Sequence, residues 1–236
     1  MSTYVYVDAL NCYYGALKGT QYKWLDYAAL VRSLLPLDEI GKIRYFTANV
    51  KPLGPGDKSH EWQAAYLRAL DANPLIDLVR GSFRQDDDWL PLAEEKHPVR
   101  DLFRPRLRPT TLVRMILSDA GKRRMSFHTL SRVIVREEKG SDVSLGAYLV
   151  FDALQGNCSK ALVMSNDSDL KDAVMLAKSA GIDVGIVNPH RQPTNGVLLR
   201  EATFEIPFRP ATLASCQLPA IVIGKNGKEI HKPREW

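Results

Sequence analysis

The chain alternates short apolar runs with amphipathic stretches. Thr3 to Val7 is a β-rich apolar run that stops at Asp8, and Ile43 to Val50 is a second. Between them Leu25, Ala28, Ala29, Val31 and Leu35 recur at helical spacing, with Asp26 near the start and Pro36 as a stop. Breakers from Pro52 to Gly56 lead into a helix through Trp62, Ala65, Tyr66, Ala69 and Leu70. Asp57 or Ser59 can cap it, and Asn73-Pro74 ends it. Leu75 to Val79 supplies a third strand. This βαβαβ pattern predicts a parallel sheet with right-handed crossovers.

The pattern returns further along. A helix is expected from Ser141 to about Leu154, with Leu145, Leu149, Val150 and Ala153 on one face. Ala161 to Met164 reads as a buried strand, Asp169 to Ala180 as a helix closed by Gly181, and Val184 to Val187 as another strand, stopped by Asn188-Pro189. After Phe204 to Phe208 the alternation ends, and Ile221 to Lys228 reads as a strand entering an Asn-Gly turn. From Arg84 to about Arg124 the chain instead carries Asp86-Asp87-Asp88, four prolines and many arginines, which reads as an insertion. The expected organisation is one α/β domain over 1–210, interrupted at about 84–124, and a C-terminal appendage over 211–236.

Composition narrows the class. With 236 residues, 45% hydrophobic and 25% charged, the chain can bury a sizeable core, and disorder as its main state is excluded. No apolar run is long enough to span a membrane, and the start lacks the basic flank of a signal peptide. Cys12, Cys158 and Cys216 are too widely spaced for a disulfide framework or a structural zinc site, so a reducing cytoplasm is expected. The net charge of +5 lies wholly between Arg80 and Lys139, where fourteen basic residues face nine acids. Either that segment is a solvated, internally paired surface, or Lys139, Arg104, Arg106, Arg108, Lys122, Arg123 and Arg124 track phosphates.

Ligands of an open parallel sheet sit beyond the carboxyl ends of its strands. Asp8 ends one strand, Asp167 and Asp169 follow another, and Asp142 begins the helix between. Singly, each suits a helix cap or a turn. Together they would repel one another unless cations sit among them, and Mg2+ or Mn2+ takes carboxylate and water oxygens and can activate a water for phosphodiester hydrolysis. The histidines show no paired ligand spacing, and no GxSxG, P-loop or GxGxxG is present.

Three segments also resemble the motifs of the NYN domain, a PIN-like nuclease family: Val5 to Gly15, Glu138 to Val143, and Ser165 to Leu170. The resemblance runs from Thr3 to about Pro207. It implies a three-layer α/β/α PIN-like fold with a central, mostly parallel sheet. It also implies a metal-dependent endoribonuclease acting on RNA with unpaired segments. Asp8, Asp142, Asp167 and Asp169 would be the catalytic and metal-holding carboxylates, with Asn11 and Ser165 orienting acids or water. Two positions depart from the family pattern: Ala9 replaces a glycine, and Ala147-Tyr148-Leu149 stands where many relatives carry a polar or acidic residue. Tyr148 favours the rival reading of a non-catalytic RNA-binding or protein-interaction module. A haloacid-dehalogenase-like phosphatase ranks lower, because Leu10 stands where its second aspartate belongs. A homo-oligomer stays open.

Overall fold

The computed structural model describes the backbone of residues 2–52, 54–91, 113–114 and 129–234, and side chains outside 82–139. By contacts the chain divides into one unit of 1–82 with 138–236 and a second of 83–137.

The first unit opens with strand β1 (Thr3–Asp8), a single turn α1 (Ala9–Cys12) and a π-helical turn (Tyr13–Leu17), followed by α2 (Tyr27–Leu34), β2 (Ile40–Ala48) and α3 (Ser59–Asp71). Strand β3 (Ile76–Pro91) pairs with β2 from Ile76 to Gly81. In the second unit the described backbone includes β4 (Val113–Arg114), antiparallel to β5 (Thr129–Lys139). The first unit resumes with α4 (Ser141–Leu154), β6 (Lys160–Met164), a 3-10 turn (Ser168–Leu170), α5 (Lys171–Ser179), β7 (Asp183–Val187), α6 (Gly196–Glu201) and β8 (Phe204–Glu205). Then come α7 (Ala211–Ser215) and the antiparallel pair β9 (Ile221–Ile223) and β10 (Glu229–His231).

Six strands form the parallel sheet of this unit, in the order β3-β2-β1-β6-β7-β8. Alternation within each strand sends side chains to two cores, because successive residues of a strand face opposite sides. Val5, Val7, Ile43, Tyr45, Leu162 and Met164 pack against α1, α2 and α3, whereas Tyr6, Phe46, Ala161, Val163 and Ile186 pack against α4, α5 and α6. Helices on both faces make a three-layer α/β/α fold. Burial on both faces is also why these strands read as continuous apolar runs.

One helix start and one helix end follow the sequence signals closely. Asp26 caps α2 through the amides of Ala28 and Ala29, and Gly181 adopts a left-handed φ of 93° just beyond α5. The Asn226-Gly227 turn joins β9 to β10, with Gly227 at φ 75°. The C-terminal residues share the first core: Leu213, Cys216 and Ile230 are buried there, and Trp24 donates its indole N–H to the Pro219 carbonyl at 2.9 Å. No helix among the described residues is long and apolar enough to cross a membrane.

Helix α4 is fastened to the sheet by a buried charge. Asp152 is fully buried and receives Arg44 Nε at 2.8 Å and Nη2 at 2.9 Å, the Tyr6 hydroxyl at 2.9 Å and the Asn157 amide at 2.9 Å. Burial alone would raise the Asp152 pKa, but the hydrogen bonds from Arg44, Asn157 and Tyr6 outweigh it and hold the group below its ordinary value. Tyr148 closes this network, its ring centre 4.5 Å from the Arg44 guanidinium carbon. The position where the motif comparison expects a polar residue is thus occupied by a cation-stacking aromatic.

Candidate active site

The carboxyl ends of β1, β6 and β7 meet along one edge, and a continuous polar network covers them. Asp8, the last residue of β1, is buried and caps α1, its Oδ1 accepting the Asn11 N–H at 2.9 Å. Its Oδ2 accepts the Ser165 hydroxyl at 2.9 Å, and Ser165 Oγ in turn accepts the Asp167 N–H at 3.2 Å. One fully buried serine therefore ties the acid after β1 to the acid after β6. Asp167 then caps the 3-10 turn by accepting the Asp169 N–H at 3.0 Å.

A second branch runs through asparagines. Asn11 Oδ1 accepts the Asn166 N–H at 3.1 Å and lies 3.0 Å from His190 Nε2. A backbone amide can only donate, so the oxygen of Asn11 is fixed in that place and Nε2 must carry the imidazole proton. Nδ1 is left as the basic nitrogen. Asn188 at the end of β7 accepts the His190 N–H at 2.8 Å, and Asn166 Oδ1 accepts the Asn195 N–H at 2.6 Å. Burial holds the His190 imidazole below its ordinary pKa, so it is neutral at pH 7.

The π-helical turn brings the chain against this ring. A Cβ at Gly15 would lie 2.9 Å from His190 Cδ2 and 3.0 Å from Cγ, so only glycine allows the contact without displacing the ring. Such wide turns recur at functional sites because they redirect one residue without ending the helix.

Asp142 reaches the rim from the first turn of α4, which Gly140 enters at φ 94°. Burial and then the charges of Asp167 and Asp169 raise its pKa above the ordinary carboxylate range. The four acids named from sequence are thereby connected: Asp8 and Asp167 through Ser165, Asp169 through Asp167, and Asp142 electrostatically. Among the described residues, no three His, Cys, Asp or Glu side chains form a group that could hold a metal ion. Arg104, Arg106, Arg108, Lys122, Arg123 and Arg124, and the side chain of Lys139, lie outside the described residues.

Sequence reasoning missed His190, Asn166, Asn188 and Asn195. Asn188-Pro189-His190 follows a third apolar strand, and that position was the available signal; judging histidines by metal-ligand spacing alone discards it. Beside His190 opens a cavity of about 280 Å3 whose lining includes Arg191, Thr194, Glu205, Ile206 and Phe208. Thr194 donates its hydroxyl to Glu205 on this wall.

No family model matches the chain. A protein of Pseudomonas putida, "6-hydroxy-3-succinoylpyridine 3-monooxygenase HspA", is 27% identical over 260 aligned positions, covering 100% of this chain and 75% of that protein. A solved structure from Vibrio parahaemolyticus, of a protein of unknown function, superposes with a TM-score of 0.46 at 13% identity, covering 88% of this chain and 93% of that one. The expectation of a metal-dependent endoribonuclease is corrected by the first of these, since the relative that carries an activity in its name is an oxidoreductase. The physical reason for the misreading is that acids at strand ends specify a polar, cation-attracting rim without specifying whether a proton, a phosphoryl group or an electron pair moves there.

Proposed function

We propose that the chain is an oxidoreductase that inserts one oxygen atom of O2 into a small hydroxylated N-heteroaromatic ring at the rim formed by Asp8, Asn11, Ser165 and His190. The observation that carries this reading is the similarity to the Pseudomonas putida monooxygenase, which spans the whole of this chain and so takes in every rim residue. On 6-hydroxy-3-succinoylpyridine, whose C3 carries the acyl group, the reaction balances as ring C–C(O)R plus O2 plus a two-electron, two-proton donor, giving ring C–OH, the carboxylic acid RCOOH released from the side chain, and the oxidised donor. The donor is a co-substrate, a reduced nicotinamide or flavin.

The chain's own groups prepare the ring. His190, neutral and held in the Nε2–H form by Asn11, takes the proton of the ring hydroxyl at Nδ1. The resulting oxyanion makes the ring carbons ortho and para to it electron-rich, and C3 of a 6-hydroxypyridine is the para carbon, which is what attack on an oxygen species there requires. Ile206 and Phe208 give the adjoining cavity an apolar wall for the ring, and Arg191 at its lip pairs with a carboxylate arm. Asp142, with its raised pKa, holds a proton more readily than an ordinary carboxylate and returns it to the reduced oxygen. Three buried, unpaired thiols support a reducing, cytoplasmic setting.

The test is incubation of the full chain with 6-hydroxy-3-succinoylpyridine, 18O2, reduced nicotinamide and flavin, with the product read by mass spectrometry. One 18O atom in the product, lost in Asp8→Asn and His190→Gln, is expected. A natively folded protein that leaves the label out of every product would refute the assignment.

A further inference from the structure

The same sheet edge carries a second cavity, of about 400 Å3, at the ends of β2 and β3, the two strands that continue the sheet beyond β1. Helix α3 builds one wall with His60, Ala64, Leu67 and Arg68, positions that recur at three- and four-residue spacing and so share a face. Gln63 fixes this wall to the sheet: its amide nitrogen donates to the Ala48 carbonyl at 2.9 Å, and its oxygen accepts the Val50 N–H at 2.8 Å. Arg80 enters from β3, in register with Thr47.

The charge of this lining is one-sided. Arg68 and Arg80 are both exposed and face the space with no carboxylate in the lining, and neither has an ion-pair partner among the described residues. His60 stands in the same lining, on the α3 wall. Two guanidinium groups from different elements carry two positive charges, which a tetrahedral dianion balances and a single carboxylate does not. Val50, Ala64 and Leu67 add an apolar wall for a ring, and the volume lies in the lower range of small-ligand sites.

The geometry points to a binding site for the phosphomonoester of a nucleotide-sized ligand, held by Arg68 and Arg80. It stands apart from the oxygenation chemistry of the rim and uses none of its residues.

Titration calorimetry on the full chain tests it with AMP, adenosine, inorganic phosphate and a short single-stranded RNA. AMP is expected to bind at least tenfold more tightly than adenosine and than inorganic phosphate. Arg68→Gln with Arg80→Gln should weaken AMP at least tenfold and leave adenosine unchanged, and Arg68→Lys with Arg80→Lys should restore part of the loss. Equal binding of AMP and adenosine, an undiminished affinity in the glutamine pair, or tight binding of the RNA where AMP does not bind would overturn the assignment. Because the readout is binding alone, a protein without oxygenase activity still decides the question.

Discussion

Replacing Arg44 by methionine tests whether the buried charge network holds α4, and with it Asp142, against the sheet. The substitution keeps most of the side-chain volume but removes two hydrogen bonds to Asp152, at 2.8 and 2.9 Å, and one to Asp77 at 2.6 Å. Asp152 has no exposed surface, so its carboxylate cannot recover those bonds from water. Breaking a buried pair by removing one partner costs about 3–5 kcal/mol, and the lower end applies because Tyr6 and Asn157 still donate to the acid. For a domain of this size, ~3 kcal/mol lowers Tm by roughly 6–12 °C. Arg44→Met with Asp152→Leu should recover more than half of the loss, since an apolar pair replaces the charge altogether. The stranded acid would also have a raised pKa, so its destabilisation should shrink as the pH falls towards 5. Thermal unfolding followed by circular dichroism reads all three. A single variant within about 0.5 kcal/mol of the parent, or single and double variants that lose equally, would refute the reasoning.

Three further outcomes follow from the rim. Gly15→Ala should push the His190 ring off Asn11 and cost about 1–2 kcal/mol, seen in thermal unfolding and as a loss of the Nε2–H signal in imidazole NMR. Asp142→Asn should raise Tm at pH 7: the folded acid binds its proton more tightly than the unfolded one, so the parent loses stability as the pH rises above the ordinary carboxylate value and the variant does not. His190 has the opposite sign. Its folded pKa is depressed, so stability falls as the pH drops through and below about 6.5, and His190→Gln should flatten that slope in urea titrations.

The strands that carry the site were legible because both faces of the sheet are covered. Val5-Tyr6-Val7 and Leu162-Val163-Met164 have no polar alternation to obscure them, and each ends at a polar residue that marks the edge. The acids were legible as a set for the same reason, and the bland reading of two of them also holds: Asp8 and Asp167 are caps and rim members at once. The turns from Ala9 to Leu17 escaped because nine residues with buried Ala9, Cys12 and Leu17 give too short a period to read. His190 escaped because its partner, Asn11, lies 179 residues away, and no local pattern announces a hydrogen bond made only in the folded sheet.

Strand polarity also gives the sheet of the first unit two unlike edges. Both cavities and the acids lie where strands end, whereas Thr3, Ile40, Lys160 and Asp183 begin neighbouring strands at the opposite edge. All three native thiols are buried, so Asp183→Cys, at an exposed position, would offer a maleimide its one accessible sulfur without removal of any native cysteine. A chain anchored to a sensor surface through that position would present its whole ligand-facing edge to the solution.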